Sequence, residues 1–440
     1  MNTYSYEELI NTIENTRRFG NLTGYEVSKK MLEQLGNPQS GIPFVHIAGT
    51  NGKGSTTAFL CKILEKEGKK VGMFTSPHLI TFEERIRING VYISKEDVTR
   101  LGNILLQTKF EVSPTMFDYC LVMAVLYFKE QGCDIMVMET GIGGRYDSTN
   151  ALGVPEVAVI TKIGFDHMGV LGNTIEEIAG EKAGIIKPGC PVVTCEQCSD
   201  AEKVIRKEFS KVNQMEKKQN ADVAIYQPTE ADYQLVRTIP MKMVGEYQME
   251  NAAVATVAAR LLFEQWAKQG KNPLVKEEID EILRAGIADT YWKGRIEIVN
   301  ANPFFMIDGA HNSNGVLALS RSLKALYPDE KFHFIMGVMA DKDYEEMIDA
   351  LLPLAIDFVT VTPESNRALQ AKDLAECIQK KGIKASYADD LEMVIAPFLP
   401  VSEESVDVCM ADEKSNSKTI AFGSLYFIGA IEAMLEKNKR

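Results

Sequence analysis

The stretch Ile42-Pro-Phe-Val-His-Ile-Ala48 runs directly into Gly49-Thr-Asn-Gly-Lys-Gly-Ser55 and decides the fold class. Its first half is a short apolar run, which predicts a buried β-strand, and its second half is a glycine-rich loop. The amphipathic pattern from Thr56 to Glu67 predicts a helix directly after the loop. A strand, a glycine-rich loop and a helix in this order form the arrangement that a phosphate-binding loop requires.

The loop offers several groups that bind nucleotide phosphates. Glycines let backbone N–H groups turn towards phosphate oxygens, and the N-terminus of the following helix adds a partial positive charge. Lys53 can reach between the β- and γ-phosphates. The usual Walker pattern has Ser or Thr directly after this lysine, whereas Gly54 intervenes here, and a glycine-rich turn without a nucleotide is the alternative interpretation. We predict that nucleotide phosphates are bound by Gly49, Thr50, Asn51, Gly52, Lys53, Gly54 and Ser55.

Strands and helices alternate through most of the chain, which predicts an α/β protein with largely parallel sheets. Further strands in the first part are predicted at Val71–Phe74, Ile135–Glu139, Val157–Ile163 and Pro191–Thr194. In parallel sheets, ligands bind at the loops that follow the carboxyl ends of the strands. These loops are therefore where we expect the functional residues.

A second alternating series begins after a predicted turn at Tyr291–Arg295. It starts with a strand at Phe304–Ile307, continues with a strand at Phe332–Met336 and ends with a helix at Leu425–Lys437. This restart predicts a domain boundary near residue 295. We therefore expect an N-terminal domain of residues 1–295, with a parallel-rich sheet and the phosphate loop, and a smaller Rossmann-like α/β domain of residues 296–440.

Composition and charge exclude several classes of protein. The 440 residues are 45% hydrophobic and 25% charged, which fits a globular protein of two or three domains. The net charge of −13 argues against nucleic-acid binding, which needs a basic surface. The polar N-terminus lacks the apolar core of a signal peptide, and no run approaches the ~18 apolar residues of a membrane span.

The eight cysteines lie mostly within apolar runs, which favours reduced, buried thiols. Cys195 and Cys198 have the spacing of a metal or redox pair, but without a second pair they are more typical of incidental loop cysteines. We expect a cytoplasmic protein that binds neither nucleic acid nor membrane.

Polar residues at the predicted strand ends are candidate ligands for metal and phosphate. Glu139 is a natural Mg²⁺ ligand beside a triphosphate, because Mg²⁺ takes one or two carboxylates in addition to phosphate oxygens. The hydroxyl of Ser76 can approach the same metal or phosphate, and His167 can ligate through one imidazole nitrogen. Arg145 can approach an anionic substrate, and Arg295 can neutralise phosphate charge.

Lys182 has two interpretations. It lies in a predicted helix among Ala and Gly residues, where partial desolvation would lower its pKa and make the neutral amine reactive. A capping or salt-bridged lysine is the alternative, and the residues alone favour that alternative.

Eight motifs together resemble those of folylpolyglutamate synthases and bifunctional dihydrofolate/folylpolyglutamate synthases, which are relatives of the Mur peptide ligases. They occur in the family's order and span almost the whole chain. They are His46-Ile-Ala-Gly-Thr-Asn-Gly-Lys-Gly-Ser55, Thr75-Ser-Pro-His78, Glu84-Arg-Ile-Arg-Ile-Asn-Gly90, Glu139-Thr-Gly-Ile-Gly-Gly-Arg145, Asp166-His167, Gly180-Glu-Lys-Ala-Gly-Ile-Ile-Lys-Pro-Gly189, Asp308-Gly-Ala-His-Asn312 and Asp341-Lys-Asp343. The Gly54 that weakens the Walker match belongs to the family's own form of the loop.

The resemblance implies roles for individual residues. It assigns ATP contacts to Asn251, Arg295 and Asp308 in addition to the phosphate loop. It assigns two Mg²⁺ ions to Ser76, Glu139, His167 and Lys182, and Lys182 would be carboxylated by CO₂ to a carbamate. The implied catalytic residues are Lys53, Lys182 and His311, and both His311 and Ser424 would lie near the incoming glutamate.

The resemblance also implies a pteroate-binding side, formed by Thr115, Met116, Phe117, Asp118, Tyr146, Asp147 and Ser148, beside the predicted substrate-binding residue Arg145. The sequence departs from the family there and at two other places. It has Phe117-Asp118 for Phe-Glu, Tyr146-Asp-Ser148 for Leu-Asp-Ala, Tyr247-Gln for His-Gln, and Lys293 for a proline before Gly294. The first two departures leave open whether dihydropteroate is a substrate as well as reduced folates.

The activity implied by the resemblance is ATP-dependent ligation of L-glutamate to the γ-carboxyl of a reduced folate through an acyl phosphate. We expect the protein to be a monomer. One alternative is a Mur-type ligase that extends a UDP-muramyl precursor. We expect such a ligase to carry a UDP-binding domain before the phosphate loop, and only 48 residues precede Gly49. The other alternative, an inactive ATP-binding regulator, is expected to lack catalytic residues, whereas Lys53, Glu139, His167 and Lys182 are all present.

Overall fold

The computed structural model describes residues 3–16, 24–215, 223–271, 273–399 and 418–438. The chain forms two compact units. The first consists of Met1–Lys242 and Gln248–Tyr291, and the second of Met243–Tyr247 and Trp292–Arg440. The division after Tyr291 lies four residues before the predicted boundary, and the segment Met243–Tyr247 belongs to the second unit, which the sequence did not indicate. A hydrogen bond helps to hold this segment in the second unit: Glu246 N–H donates to the Ser322 hydroxyl at 3.2 Å.

The first unit contains an eight-stranded sheet in the order β4-β3-β2-β5-β1-β6-β7-β8. Its strands are β1 Phe44–Ala48, β2 Val71–Phe74, β3 Ile86–Ile88, β4 Val91–Tyr92, β5 Ile135–Glu139, β6 Val157–Ile160, β7 Val192–Thr194 and β8 Ile225–Tyr226. All neighbours are parallel except β2–β3 and β3–β4. The parallel-rich sheet that the sequence predicted is confirmed.

Helices of the first unit connect and cover these strands. They are α1 Tyr6–Glu14, α2 Glu26–Gln34, α3 Lys53–Lys66, α4 Lys95–Gln107, α5 Met116–Glu130, α6 Met168–Leu171, α7 Ile175–Ala183, α8 Ser199–Met215, α9 Glu230–Arg237, α10 Glu246–Lys268 and α11 Lys276–Asp289. Every residue of β1, β2, β5 and β6 is buried, as expected for strands covered on both faces. The first two residues of α10 belong to the second unit.

The second unit contains a six-stranded sheet in the order β13-β12-β11-β14-β10-β9. Its strands are β9 Glu297–Ala301, β10 Phe304–Ile307, β11 Phe332–Met336, β12 Ala355–Val361, β13 Ala385–Ala388 and β14 Lys418–Phe422, and its helices are α12 Ser313–Leu326, α13 Tyr344–Leu351, α14 Ala371–Lys380, α15 Leu391–Ile395 and α16 Leu425–Lys437. Only β9 runs antiparallel to its neighbour. This is the smaller α/β unit that the sequence predicted.

Within the ranges given above, no helix combines the length and the apolar character that crossing a membrane requires.

Candidate functional site

The carboxyl ends of four neighbouring parallel strands carry most of the predicted site of the first unit. In the order β2-β5-β1-β6, the strands are registered so that Ile47 lies beside Glu139. The loops that follow them contain Ser76, the glycine-rich segment after Glu139, the phosphate loop and His167. Parallel topology therefore brings these separate sequence motifs to one edge of the sheet.

The phosphate loop is fixed by the segment that follows β6. Backbone N–H groups of Thr50 and Asn51 both donate to the carbonyl of Lys162, at 2.9 and 3.1 Å. Helix α3 then begins at Lys53, three residues before the predicted start, because Gly52 caps it with a φ of 89°. The first N–H groups of a helix have no partner within the helix, so those of Gly52 to Ser55 can serve an anion.

Two glycines of the loop are required by their surroundings. A Cβ on Gly49 would lie 1.8 Å from the hydroxyl oxygen of Thr161, and a Cβ on Gly52 would lie 2.3 Å from the side-chain oxygen of Asn251. Asn251 is buried on α10 and donates to Gln248 Oε1 at 3.0 Å. The structure therefore packs Asn251, a predicted ATP contact, directly against the phosphate loop.

Two lysines meet at the first carbonyl of the loop. Lys53 Nζ donates to the carbonyl oxygen of Gly49 at 3.1 Å and to that of Thr50 at 3.3 Å. Lys182 Nζ, from α7, donates to the same Gly49 oxygen at 2.9 Å. Two lysine side chains therefore meet at one carbonyl, where a phosphate group would balance their positive charge.

Burial changes the acidity of Lys182. The residue is 3% exposed, and this burial, followed by the nearby charge of Lys53, lowers its pKa to about 7. The carboxylates of Asp166 and Asp147 act in the opposite direction. The amine is therefore partly neutral at neutral pH, which is the form that reacts with electrophiles.

The predicted metal ligands lie at adjacent strand ends. Ser76 N–H donates to Glu139 Oε2 at 3.4 Å, and Glu139 is 4% exposed. His167 has a left-handed φ of 52°, and its Nε2 lies 3.9 Å from Asp166 Oδ2. In the described part of the chain, no three His, Cys, Asp or Glu side chains converge as a metal site. The proposed set differs from such a cluster, since it also uses a serine and a modified lysine.

Asp147 is held by its own loop. Its carboxylate accepts hydrogen bonds from the N–H groups of Gly141, Ile142 and Thr149, and from the Thr149 hydroxyl at 2.5 Å. The Thr149 oxygen in turn lies 2.7 Å from Nε2 of the buried His46. Because the hydroxyl proton goes to Asp147, His46 Nε2 carries the proton in this contact. This network fixes the glycine-rich loop against β1.

Asp118 is held in a similar way at the N-terminus of α5. Its carboxylate accepts from the N–H and hydroxyl of Thr115, at 2.8 and 2.6 Å, and from the hydroxyls of Ser148, at 2.7 Å, and Ser28. The structure therefore brings together three of the residues assigned to the pteroate side. Phe117 contacts the same region, because a Cβ on Gly141 would lie 2.8 Å from its ring.

In the second unit, Asp308 organises the loop after β10. It accepts hydrogen bonds from the hydroxyl of Tyr247 at 3.0 Å, and from the N–H groups of Ile296 and Ala310 at 2.8 Å each. Burial raises the pKa of Asp308, and the positive charge of Arg295 opposes this shift.

The two residues assigned to the glutamate lie in adjoining loops of the same unit. His311 Nδ1 is 2.9 Å from the carbonyl oxygen of Gly309, and Ser424 is a buried residue at the start of α16. Gly423 N–H donates to the carbonyl of Ala310 at 3.0 Å, which joins the two loops. The ends of β10 and β14 thus bring His311 and Ser424 to one edge of the second sheet.

Comparison with known proteins assigns the family. Residues 47–259 match the family model described as Mur ligase middle domain, and residues 294–410 match that described as Mur ligase, glutamate ligase domain. The chain is 36% identical to the dihydrofolate synthase/folylpolyglutamate synthase of Bacillus subtilis, over 98% of this chain and 99% of that protein. The chain belongs to the folylpolyglutamate synthase family of Mur ligases.

Solved structures of the folylpolyglutamate synthase family share its fold. FolC from E. coli, solved in complex with DHPP and ADP, has a TM-score of 0.81 and 25% identity, and the alignment covers 99% of both chains. An FPGS–AMPPCP–folate complex has a TM-score of 0.77 and 28% identity, covering 98% of this chain and 100% of that one. The resemblance inferred from the motifs is confirmed.

In this member of the folylpolyglutamate synthase family, Arg145 is already paired within the chain. Its guanidinium donates to the carbonyl of Gly180 at 2.9 Å and to Glu208 Oε1 at 3.1 Å. It borders a cavity of about 390 Å³ that Lys187 also lines. Tyr146, its neighbour in sequence, is 54% exposed. An anionic substrate would therefore compete with Glu208 for Arg145.

Sequence reasoning missed three residues that complete these networks in the folylpolyglutamate synthase fold. His46 and Thr149 are joined although 103 positions separate them, and Ser28 bonds to Asp118 across 90 positions. His46 lies within an apolar strand, where a side chain is ordinarily assigned to the core, and Ser28 lies in an amphipathic helix. No local pattern could have revealed these contacts.

Proposed function

We propose that this protein is an ATP-dependent ligase that joins L-glutamate to the γ-carboxyl of reduced folates through an acyl-phosphate intermediate. The observation that carries the proposal is the phosphate loop, whose required glycines pack against Thr161 and Asn251 and whose first carbonyl accepts from both Lys53 and Lys182. The relatives in the same family are named as folylpolyglutamate and dihydrofolate synthases.

The phosphate loop is the proposed site of the ATP phosphates. Lys53 would turn from the Gly49 carbonyl to the β- and γ-phosphates. In the second unit, Arg295 and Asp308 are the proposed further ATP contacts. Arg295 would offset negative charge on the phosphoryl group during transfer, which is where fixed cations lower the barrier most.

Ser76, Glu139, His167 and Lys182 are the residues that would hold two Mg²⁺ ions. The donor set fits Mg²⁺, because it supplies hydroxyl and carboxylate oxygens together with an imidazole nitrogen. Two of these residues are adjacent in the structure, since Ser76 N–H donates to Glu139 Oε2 at 3.4 Å. When bound, Mg²⁺ neutralises charge on the transferring phosphoryl group. Addition of CO₂ to the neutral Lys182 amine would release one proton and give a carbamate, whose oxygens suit Mg²⁺.

The proposed ligation takes place in two displacement steps. An oxygen of the folate γ-carboxylate attacks the γ-phosphorus of ATP, the bond to the β–γ bridging oxygen breaks, and ADP leaves. The amine of glutamate then attacks the acyl carbon, and the tetrahedral intermediate expels inorganic phosphate to give the amide. His311 is the proposed base for the amine proton. Its Nδ1 faces the carbonyl of Gly309 and so carries hydrogen, which leaves Nε2 as the accepting nitrogen of the neutral ring.

The proposed pteroate side is formed by Thr115–Asp118 and Tyr146–Ser148. Ser148 donates a hydrogen bond to Asp118, and these are two of the positions where this chain departs from the family pattern. The shorter acid and the added hydroxyl therefore occur as a bonded pair. Whether this pair admits dihydropteroate is the open part of the proposal, and its alternative is a synthase restricted to reduced folates.

The test uses purified protein with MgATP, radiolabelled L-glutamate, and either tetrahydrofolate or dihydropteroate. We expect ADP and a glutamate-extended tetrahydrofolate. Lys53→Met, which keeps most of the aliphatic part of the side chain but lacks the ammonium group, is expected to form neither. Product from dihydropteroate would add the dihydrofolate synthase activity. ATP binding without any product would support an inactive regulator, and turnover only with a UDP-muramyl precursor would support a Mur-type ligase.

We also propose that the protein acts as a monomer in the cytoplasm, without nucleic-acid or membrane partners. The net charge of −13 supports the first of these exclusions. Light scattering coupled to gel filtration measures the mass directly, and a mass of twice the chain mass of 48.9 kDa would contradict the monomer.

A further inference from the structure

The turn that carries Arg295 is tied to the last helix of the second unit by an ion pair. Lys293 Nζ lies 2.5 Å from Glu436 Oε1 and 3.9 Å from Glu432 Oε2, and both acids are on α16. Glu436 is near the surface, whereas the Glu432 side chain is only 5% exposed. Lys293 therefore spans from solvent to a buried carboxyl group.

The backbone of the same turn is held from two sides. Gly294 N–H donates to Glu297 Oε2 at 2.6 Å, and the Gly294 carbonyl accepts from Gly309 N–H at 2.8 Å and from Arg295 Nη1 at 3.0 Å. The guanidinium packs on Gly309, where a Cβ would lie 1.9 Å from Nη1. The position of Arg295 thus depends on the residues just before and after it.

Glu432 interacts both with Lys293, which ties the turn to α16, and with Glu297, which holds the backbone of Gly294. Burial and the nearby carboxylate of Glu297 raise the pKa of Glu432 to about 7, while Lys293 opposes the shift and Glu436 adds to it. Below this pKa the neutral Glu432 can share its proton with Glu297. Above it, two carboxylates face each other, and Lys293 is the cation that offsets them. Glu432 Oε1 has no hydrogen-bond partner among the residues that the structure describes.

We propose that Lys293, together with Glu432 and Glu436, is a positioning residue that sets the place of Arg295 and thereby the affinity for the ATP phosphates. The proposal rests on the proposed role of Arg295 in ATP binding. In this proposal Lys293 does not itself contact the nucleotide or any reacting atom. Its removal frees the turn from α16 and leaves the carboxyl pair without its cation, so nucleotide binding weakens although the fold persists.

The test measures the dissociation constant of MgAMPPCP by calorimetry, which needs no turnover. We expect Lys293→Met to weaken binding by about fivefold to tenfold, the scale of a partly buried ion pair. Lys293→Arg keeps the charge and is expected to restore binding. Lys437→Met, which removes an exposed lysine of the same helix, is the matched control and is expected to bind as the unsubstituted protein does.

A pH series separates positioning from a general loss of structure. The ratio of the dissociation constant of Lys293→Met to that of the unsubstituted protein is expected to rise between pH 6 and pH 8, because Glu432 ionises and the variant lacks the cation that offsets the two carboxylates. Adding Glu432→Gln is expected to flatten this rise, because the amide stays neutral. Thermal melting of each variant reports whether it is folded. Equal affinity of Lys293→Met and Lys437→Met, or failure of Lys293→Arg to restore binding, would overturn the proposal.

The outcomes also distinguish this proposal from the proposed function. If Arg295→Ala weakens MgAMPPCP binding and Lys293→Met does not, only the positioning role is wrong. If the unsubstituted protein binds MgAMPPCP but forms no folate product, the proposed ligase activity is wrong. The affinity of Lys293→Met then still shows whether Lys293 positions Arg295. If Arg295→Ala binds normally, Arg295 does not contact the phosphates and the positioning role is refuted with it.

Discussion

Replacing Gly52 by alanine tests whether the phosphate loop and Asn251 form one binding unit. Gly52 precedes the first residue of α3 with a φ of 89°, and Gly68 lies just beyond the end of the same helix with a φ of 94°. A Cβ in this left-handed region costs about 1–2 kcal/mol at either position. Gly68→Ala is therefore a matched control for the backbone strain of Gly52→Ala.

The two positions differ in their neighbours. A Cβ on Gly52 would lie 2.3 Å from Asn251 Oδ1, whereas none of the described atoms lies within 4 Å of a Cβ on Gly68. An ordinary carbon–oxygen contact is about 3.3 Å, so Asn251 or the loop must move by about 1 Å. Asn251 is buried and bonded to Gln248 at 3.0 Å, so this shift disturbs a satisfied hydrogen bond as well as the loop.

Measured by urea denaturation, Gly68→Ala is expected to lose about 1–2 kcal/mol of unfolding free energy, and Gly52→Ala is expected to lose more, because of the contact with Asn251. Only Gly52→Ala is expected to lose ligase activity, by about 100-fold, since a displacement of about 1 Å at a reacting group can cost that much. Its affinity for MgAMPPCP is expected to fall as well. Normal nucleotide affinity in folded Gly52→Ala, or an equal loss in Gly68→Ala, would refute the argument that the loop and Asn251 act together.

Three further predictions follow from buried groups. Lys182→Met is expected to abolish both the activity and the carbamate signal in ¹³C NMR with labelled bicarbonate, whereas the control Lys187→Met is expected to retain the signal. A carbamate signal that persists in Lys182→Met would show that Lys182 is not the carboxylated residue. Thr149→Val leaves the carboxylate of Asp147 and the ring of His46 short of a partner, so urea denaturation should show a loss of about 1–3 kcal/mol. Burial lowers the pKa of His46 from its ordinary value of 6.5 to about 3. Between these two pH values the imidazole is therefore protonated in the unfolded chain and neutral in the folded protein. Stability is therefore expected to fall with decreasing pH in this range, by at most about 1.4 kcal/mol per unit, and His46→Gln should flatten that dependence.

The strands were the most predictable part of the fold. The bounds of β2, β5, β10 and β11, and of helix α16, agree with those read from the sequence. These strands are apolar runs bounded by turn residues, and such runs need no distant information. The predicted strand from Val157 ends three residues early, at Ile160, because the following backbone turns to serve the phosphate loop through the carbonyl of Lys162.

The unit boundary and the hydrogen-bond networks were less predictable. Met243–Tyr247 belongs to the second unit because of contacts such as the Tyr247 hydroxyl with Asp308, across 61 positions. The same holds for Ser28 with Asp118. Local patterns carry propensity and periodicity, whereas such contacts depend on the completed topology, so a single sequence does not specify them.

Two carboxylates near the strand-end motifs already have their hydrogen-bond acceptors occupied, which limits how they can bind a substrate. Asp118 and Asp147 each accept four hydrogen bonds from the chain itself, so a substrate donor would have to displace one of these. The lysines are arranged differently, because Lys53 and Lys182 both donate to the carbonyl of Gly49, and the charge of Lys53 adds an electrostatic cost to that of burying Lys182. A nucleotide phosphate would relieve that cost, and carboxylation would reverse the sign of one member. A net charge of −13 is therefore compatible with an anionic ligand, since the local pair of lysines, and not the overall charge, would face the nucleotide.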